Sequence, residues 1–518
     1  MIKLFLALFY ILTISTSAQG VLGNEVMYHV FQRSFFDTNG DGHGDLEGIR
    51  QKLDYLQKLG VTSILLTPLY QSDFYHNYFA TDFEAIDAKY GTFSDYKMLV
   101  QEVHKRKMKI YQDVEMQYVT GNHVWFTDSY AKPLSQYGNY LVYNDTKNTK
   151  PWYFFDVPEF TTYNNRKEQI IVVNMKDPKV KEYTLRVLKY WADPNGNGDF
   201  SDGVDGFRLD HMMDNLDNAN KLTNLFKDFW TPVLTEMKKV NPALQIVAEQ
   251  ANWNSYGYDY FTKGNVDRVF AFKLKQAIGT FNKDLIVAAA DSTFNYLPAG
   301  KQQVVFIENH DTKRFASEPA ESLQKLKVAA ALNVLIGGVP SLYYGQELGM
   351  KGEQLKGTTD GNDIPIREAF EWYAAEEGQG MALWYKNTGA WWDARNMKPN
   401  DEISLEEEEN DPNSLFNYYK KLLFLKRTEP ALADGKYENI PNTSQNVFAF
   451  TRTNNKGQQV VVAVNLGGEE EFALLDNANG VRLDKLRLLS GSDKVIFPRG
   501  GRGINMPPYS VQVWKVLH

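Results

Sequence analysis

The feature that most constrains the fold of this chain is an alternation of short apolar runs with longer stretches of helical periodicity. Leu46, Ile49 and Leu53, for example, share one face of a predicted helix. Parallel strands need long crossover connections, which helices usually provide, so the alternation predicts an α/β fold with a parallel sheet. The eight runs predicted as strands are Met27–Phe36, Val61–Thr67, Met108–Val114, Val204–Asp210, Leu244–Gln250, Arg268–Lys273, Gln303–Asn309 and Val339–Gly345.

Eight strands separated by helices or long connections are typical of a closed (β/α)8 barrel. A doubly wound open sheet is the alternative, because a count that differs by one or two strands would fit that fold. Two connections are longer than a barrel needs. Residues 115–170, after the third strand, are aromatic and polar and predict an inserted subdomain, and residues 346–410 form another irregular stretch. Such loops lie at the carboxyl ends of the strands, where barrels carry their active sites.

The carboxyl-terminal part of the chain has a different pattern. A helical run, Ser414–Lys426, is expected to close the barrel, and the helical pattern stops after Gly435. Runs such as Val447–Thr453 then alternate with turn residues, which is typical of a small all-β module. We therefore expect a barrel domain over residues 19–435 and a β-sandwich domain over residues 436–518.

Residues 1–18 have the pattern of a secretory signal peptide, with Lys3 before a short apolar run and small residues at the expected cleavage site. The run is too short to predict a stable membrane anchor. The chain has no cysteine, which excludes lipid attachment there, disulfides, thiolate metal sites and a thiol nucleophile. We therefore expect a secreted or periplasmic protein, and the sequence leaves its oligomeric state open.

Charge and aromatic content narrow the class of partner. The chain has 56 basic and 64 acidic residues, for a net charge of -8, which disfavours nucleic acid as a partner. Aromatic residues make up 14% of the chain, with 30 Tyr, 31 Phe and 10 Trp. Some of these rings belong to the core, but flat rings also stack on sugars, so a carbohydrate partner fits the composition.

Three acidic residues lie at the carboxyl ends of three predicted strands, at Asp210, Glu249 and Asp311. In a closed barrel these ends meet at one rim, so the three side chains are expected to converge. A carboxylate cluster suits glycosidic bond cleavage, which needs a nucleophile, a proton donor and stabilisation of positive charge on the ring. The alternative, that these acids cap helices, is the better interpretation for any one residue but not for all three.

Several motifs together resemble the α-amylase superfamily of retaining (β/α)8 glycoside hydrolases. They are the Glu249 strand and the segments Gly206–Asp210, Glu308–Asp311, Gly60–Pro68 and Gly338–Glu347. The resemblance covers nearly the whole chain after residue 18. It implies that Asp210 is the covalent nucleophile, that Glu249 is the general acid and base, and that Asp311 stabilises the transition state.

The same resemblance implies the residues that hold the sugar. Arg208 and His310 are expected to hydrogen-bond the sugar in the cleavage subsite, and Tyr78 is expected to stack on it. The positive charge of Arg208 is also expected to favour the ionised form of the neighbouring Asp210. For Tyr78 alone, a place in the core is an equally good interpretation.

This sequence departs from the family pattern after the third strand. Where the family has Asn and then His, this chain has Gln117 and Tyr118. The family's His contacts the sugar and its Asn often binds calcium, so both roles change here, although the Tyr118 hydroxyl retains a hydrogen to donate to the sugar. Met213 and Asp214 stand where many α-amylases have a Lys-His pair. We therefore predict conserved chemistry with altered subsites.

The loop after the first strand has the spacing of a calcium site. From Asp37 to Asp45, oxygen-bearing residues recur at alternate positions between glycines. The fourth of these positions, His43, is expected to bind the ion through its backbone carbonyl. A tight turn that caps the next helix is the alternative, and a similar run, Asp193–Asp199, is compatible with either interpretation. The predicted structural Ca²⁺ would be held by Asp37, Asn39, Asp41, His43 and Asp45.

The function predicted from these observations is a secreted retaining hydrolase of α-1,4-linked glucans such as starch, glycogen or maltooligosaccharides. A transglycosylase is the nearest alternative, since water and a sugar hydroxyl compete for the same glycosyl-enzyme. A non-catalytic glucan-binding protein is a third hypothesis. It is disfavoured because all three carboxylates are present.

Overall fold

The structure is a computed structural model that describes residues 24–317, 322–475, 485–491 and 503–517. The predicted signal peptide, residues 1–18, lies outside the described residues. Within the described ranges, the helices are all too short or too polar to span a membrane.

Eight parallel strands form a closed barrel in which each strand pairs with the next and the last pairs with the first. Met27 in the first strand lies opposite Ser341 in the last, which closes the sheet. The predicted (β/α)8 barrel is thus confirmed over the open sheet. The strands are β1 (Met27–Val30), β2 (Ser63–Leu66), β3 (Lys109–Val114), β4 (Gly206–Met212), β5 (Gln245–Gln250), β6 (Arg268–Phe270), β7 (Gln302–Val305) and β8 (Val339–Tyr343).

The first strand is shorter than the apolar run that predicted it. Met27–Phe36 reads as one strand, but the backbone turns into a short 3-10 helix at Gln32–Ser34. The buried Gln32 amide stabilises this turn by donating to the carbonyl oxygens of Thr67 (3.0 Å) and Pro68 (2.9 Å). A polar side chain with two buried partners therefore ends the strand that apolar periodicity alone would extend.

Side chains inside the barrel form a compact apolar cluster that includes Tyr111, Phe270 and Phe306. Below it, Arg268 forms a buried ion pair with Glu25 at 2.9 Å. The interior is therefore packed rather than hollow, as is usual for this fold.

The helices pack around the barrel with their apolar faces inward. Their ends follow ordinary capping rules; Thr92 and Asp95, for example, form a capping box. The bounds of the α-helices are Leu46–Gln51, Leu53–Leu59, Phe93–Lys105, Val124–Ser129, Pro178–Ala192, Thr231–Val240, Tyr258–Thr262, Phe272–Gly279, Lys283–Asn295, Leu323–Leu335, Ala390–Asp393, Leu405–Glu408, Leu415–Thr428 and Pro430–Asp434.

A four-stranded sheet stands on the carboxyl-terminal rim of the barrel. Two of its strands, Tyr118–Thr120 and Ile170–Val172, come from the insertion predicted after β3. The other two, Tyr70–Ser72 and Ala80–Ile86, come from the connection after β2, which the sequence did not single out. The two connections therefore build one unit, because unpaired strand edges from each satisfy the other.

After the barrel, the chain forms an all-antiparallel unit, as predicted. A five-stranded sheet and a two-stranded sheet make up its described part. Arg452 ties the unit to the barrel by donating to the carbonyl oxygen of Leu335 at 2.9 Å. The strands are β9 (Lys436–Asn439), β10 (Val447–Thr453), β11 (Gln459–Asn465), β12 (Glu471–Leu474), β13 (Leu486–Ser490), β14 (Gly503–Met506) and β15 (Val511–Val516).

Candidate active site

A cavity of about 460 Å³ opens at the carboxyl-terminal rim of the barrel. The three predicted catalytic carboxyl groups, Asp210, Glu249 and Asp311, all line it, which is the convergence expected of a closed barrel. The lining residues are His76, Tyr78, Phe79, Tyr118, Phe154, Phe155, Asp210, His211, Glu249, Ala251, Trp253, His310, Asp311, Asp363 and Arg367.

The buried Arg208 guanidinium joins three of the acidic side chains at this rim. Arg208 and Asp210 are two positions apart on β4, so both point into the barrel. The guanidinium contacts the carboxyl groups of Asp210, Asp113 (2.8 Å) and Glu249 (2.9 Å). One cation therefore holds the carboxyl groups of β3, β4 and β5 together.

This cluster has one positive group for three acidic groups, and it is buried. Burial raises the pKa of Asp210 well above its usual range; the Arg208 charge opposes this but does not outweigh it, and the charge of Glu249 raises the pKa further. Burial likewise raises the pKa of Asp113 to about 7, against the charge of Arg208. Burial therefore opposes full ionisation of this cluster near neutral pH.

A β-bulge at the end of β4 shapes the backbone beside Asp210. The pairing of β4 with β5 shifts register between Leu209 and Met212, and His211 takes a left-handed φ of 45°. The His211 backbone N–H lies 3.3 Å from the Glu249 carboxyl oxygen that accepts it. The bulge therefore brings a backbone donor from the strand of the predicted nucleophile to the predicted acid and base.

Gln117, one of the departures from the family pattern, braces this bulge. Its buried side-chain amide donates to the carbonyl oxygens of Asp210 and His211, each at 2.8 Å. Its own amide oxygen accepts the backbone N–H of Met116 at 3.0 Å. All polar atoms of the Gln117 side chain are thus used within the protein.

Tyr78 and His310 also line the cavity, next to the carboxyl cluster. Their rings are stacked, with centroids 5.2 Å apart and an interplanar angle of 9°. The Tyr78 hydroxyl donates to Asp113 at 2.6 Å and lies 2.7 Å from His310 Nε2. Since the hydroxyl has one proton, Nε2 is the donor toward Tyr78. Burial lowers the pKa of His310 well below its usual range, so the ring is neutral at physiological pH.

Arg367 completes the surroundings of Asp311, and the sequence alone did not predict its role. Its guanidinium donates to the carbonyl oxygen of His310 (2.8 Å) and contacts the Asp311 carboxyl group (3.2 Å). It also donates to the Tyr75 hydroxyl at 2.8 Å. Arg367 follows a 3-10 helix, Asp360–Ile366, in the long connection after β8.

Tyr118 lies in the cavity wall, but its hydroxyl donates to Asp217 at 2.6 Å. His211 Nε2 lies 3.1 Å from the same Asp217 oxygen. The hydrogen bond that we expected Tyr118 to offer a sugar is thus used within the protein, and the ring faces the cavity instead. The neighbouring aromatic residues Phe154 and Phe155 were not predicted, although they belong to an aromatic run that begins at Trp152.

The predicted calcium loop is compact and lies outside this cavity. The Asp37 carboxyl group accepts the backbone N–H groups of Gly40 and Gly42, each at 2.8 Å. Asp45 accepts the Gly48 N–H at 2.7 Å and so caps the next helix, as the alternative interpretation requires. Helix capping and ion binding are compatible, because a carboxylate oxygen has more than one lone pair.

The donor set of the loop fits a hard cation in part. Asp37 and Asp45 are buried, and neither is paired with a basic side chain in the ion pairs that the structure describes. Burial raises the pKa of Asp45, and the charge of Asp37 raises it further. A bound cation would offset both effects. Among the described residues no three acidic or histidine side chains gather into a metal site. An ion would therefore also need oxygens from Asn39, Asp41 and the backbone carbonyl of His43.

Comparison with known proteins gives consistent matches over the whole fold. The family model "Alpha amylase, catalytic domain" matches residues 29–435. Alpha-amylase 3 of Dictyoglomus thermophilum is 29% identical, with 88% of this chain and 87% of that protein aligned. An oligo-1,6-glucosidase of Parageobacillus thermoglucosidasius is 25% identical over 95% of this chain and 98% of that protein. The crystal structure of an α-amylase from H. orenii has a TM-score of 0.76 and 27% identity, covering 95% of this chain and 99% of that one.

Proposed function

Because the chain belongs to the α-amylase family of glycoside hydrolases, we propose that it is a secreted enzyme that hydrolyses α-1,4-glucosidic bonds in starch, glycogen or maltooligosaccharides with retention of configuration. The observation that carries this proposal is the convergence of Asp210, Glu249 and Asp311 around one cavity. The Dictyoglomus relative, which is named an α-amylase, supports an α-1,4-glucan as substrate.

In the first step, an Asp210 carboxylate oxygen bonds to the anomeric carbon while the bond to the glycosidic oxygen breaks. Glu249 gives its proton to that oxygen, so the leaving sugar departs as an alcohol. Asp311, whose negative charge faces the ring, stabilises the positive charge that develops there. The products of this step are a glycosyl ester on Asp210 and an ionised Glu249.

In the second step, Glu249 takes a proton from water as the water oxygen attacks the anomeric carbon. The ester bond to Asp210 breaks, and the sugar is released with its original configuration. Arg208 contacts both carboxyl groups and moderates the negative charge at each stage. Neutral His310 and the stacked Tyr78, which lie beside Asp311, would orient the sugar ring.

The linkage specificity is tested by a product time course on maltotriose, soluble starch and isomaltose. We expect reducing ends to be released from maltotriose and starch at rates at least about tenfold above that for isomaltose. The oligo-1,6-glucosidase relative makes isomaltose the informative comparison. Faster cleavage of isomaltose would overturn the α-1,4 assignment. Products longer than the substrate would favour the transglycosylase alternative.

We also propose that the loop of residues 37–45 holds a structural Ca²⁺, with Asp37, Asn39, Asp41, Asp45 and the His43 carbonyl as ligands. When bound, the ion would neutralise the buried carboxylates and stiffen the loop. It takes no part in bond cleavage, because the loop does not line the cavity.

Calcium is expected to raise the melting temperature (Tm) of the enzyme by about 3–5 °C relative to a chelator, since the ion binds only the folded loop. The measurement is a thermal melt in Ca²⁺ and in EDTA, for the wild type and for Asp37→Asn. The substitution should remove the difference between the two melts. Identical melts of the wild type in both solutions would argue against the site.

A further inference from the structure

A second cavity, of about 670 Å³, lies beside the four-stranded sheet on the rim and shares no lining residue with the candidate active site. Its walls come from the strands Tyr70–Ser72 and Ala80–Ile86, from the helix Val124–Ser129 and the residues before it, and from the helix Pro178–Ala192. Its volume is in the range of small-molecule binding sites. The mechanism proposed above makes no use of this cavity.

The imidazole of His123 brings an unused hydrogen-bond donor to this cavity. His123 is 2% exposed and is one of the lining residues. Its Nδ1 accepts the backbone N–H of Trp125 at 3.0 Å, so the proton of the neutral ring is on Nε2. Burial lowers the pKa of His123 to about 3, which keeps the ring neutral. Nε2 has no hydrogen-bond partner in the part of the chain that the structure describes, and it is not fully enclosed, so it is open to the cavity.

Two of the three acidic side chains that line the cavity already have polar partners. Arg186 contacts the Glu84 carboxyl group at 2.7 Å and lies over the Tyr183 ring, 4.7 Å from its centroid. Asn122 donates to the Asp73 carboxyl group at 3.0 Å. This pairing leaves little negative charge for a cation, and among the described residues no three acidic or histidine side chains gather into a metal site. The lining therefore favours a neutral ligand.

The remaining groups suit a ligand that both donates and accepts hydrogen bonds. The third acidic side chain, Asp82, is exposed, and one of its oxygens accepts the backbone N–H of Glu84 at 2.9 Å. Its other oxygen remains an acceptor, while His123 is a donor. Trp125 and Tyr183 add aromatic rings whose centroids are 4.8 Å apart. A pyranose fits this combination, because its hydroxyl groups donate and accept while its C–H bonds pack on aromatic rings.

On the basis of the proposed function, we propose that this cavity is a second, non-catalytic site that binds a glucosyl unit of the α-glucan substrate. A sugar oxygen accepts the proton of His123 Nε2, and a sugar hydroxyl donates to Asp82. No bond forms or breaks there. The site anchors a polymer while another part of the same polymer enters the active site, which raises the local concentration of substrate.

The first test compares kcat/KM for soluble starch with that for maltotriose. His123→Asn removes the Nε2 donor but keeps an acceptor for the Trp125 N–H, because Asn is a good helix N-cap. It should lower kcat/KM for starch about fivefold, the effect of one lost hydrogen bond, and leave that for maltotriose within about twofold. Only the polymer has enough glucosyl units to use both cavities through one molecule.

Asp82→Ala, a change at an exposed side chain, should act in the same direction and decides the test if the Tm of His123→Asn falls. Glu182→Ala is the matched control, since Glu182 is exposed on the same helix as Tyr183 but does not line the cavity. No loss on starch, or equal losses on both substrates, would overturn the second site while leaving the proposed function in place.

The second test measures binding without turnover, by electrophoresis of Asp210→Asn enzyme through native gels that contain glycogen. Adding His123→Asn or Asp82→Ala should weaken the apparent affinity for glycogen at least about threefold, whereas Glu182→Ala should not. Unchanged retardation in both variants would contradict the site. A wild type inactive on starch and maltotriose, but with glycogen binding that these variants still weaken, would overturn the proposed function and support the site.

Discussion

Asp210→Asn is expected to lower kcat for maltotriose by roughly 10⁴-fold or more. The amide has nearly the shape of the carboxylate, but its oxygen is a poor nucleophile and does not form the glycosyl ester. The loss should appear equally with α-glucosyl fluoride, because both substrates must form the same intermediate. Steady-state rates on the two substrates provide the measurement.

The folding of this variant is an internal control. Burial disfavours an ionised Asp210, as its raised pKa indicates, so a neutral amide should keep or raise Tm at neutral pH. Asp54→Asn, a change at an acidic side chain exposed on the surface, should leave both kcat and Tm unchanged. Activity in a well-folded Asp210→Asn enzyme within about tenfold of wild type would be incompatible with a nucleophilic role.

Glu249→Gln should lower kcat for maltotriose by roughly 10²–10⁴-fold, because the leaving sugar is then expelled without a proton. The first step with α-glucosyl fluoride should suffer much less, since fluoride is a good leaving group that needs little proton transfer. A burst of fluoride release followed by slow turnover is therefore expected. Rapid-mixing measurement of fluoride and glucose separates the two steps.

The pH dependence of this variant gives a second readout. In the wild type, we expect kcat to fall at alkaline pH as the general acid loses its proton. Glu249→Gln should lose this alkaline limb, because the amide does not titrate. A variant with an unchanged alkaline limb, or with equal losses on both substrates, would assign the acid role to another residue.

The barrel could be predicted because each strand is a short apolar run whose neighbours are helical. A strand that is buried on both faces needs such a run of apolar side chains. The convergence of Asp210, Glu249 and Asp311 could be predicted for a related reason: strand ends in a closed barrel meet at one rim whatever their distance in sequence. Local pattern and simple topology were therefore sufficient for the fold and for the central acidic residues.

The rest of the site depends on loop geometry, which local pattern does not encode. Arg367 reaches Asp311 from an irregular connection, and its guanidinium is placed by contacts with His310 and Tyr75 that only the folded chain brings together. Tyr118 follows β3 as the motif predicts, but its hydroxyl partner, Asp217, lies 99 residues further along the chain. A partner at that distance has no signature in the local sequence.

The inserted subdomain could likewise be predicted only in part. Its presence followed from the length and composition of the stretch after β3. Its sheet, however, includes Tyr70–Ser72 and Ala80–Ile86 from the connection after β2, because pairing between the two connections satisfies both strand edges. Such pairing is a property of the assembled rim rather than of either segment.

The central claim is that Asp210 forms a covalent bond to the sugar while Glu249 and Asp311 assist. The most direct measurement is mass spectrometry of the peptides after reaction with 5-fluoro-α-glucosyl fluoride, whose ring fluorine slows both steps while the leaving fluoride lets the ester accumulate. The account predicts one fluoroglucosyl group on the peptide that contains Asp210, and none in Asp210→Asn. A label on Glu249 or Asp311, or products of inverted configuration without any label, would contradict it.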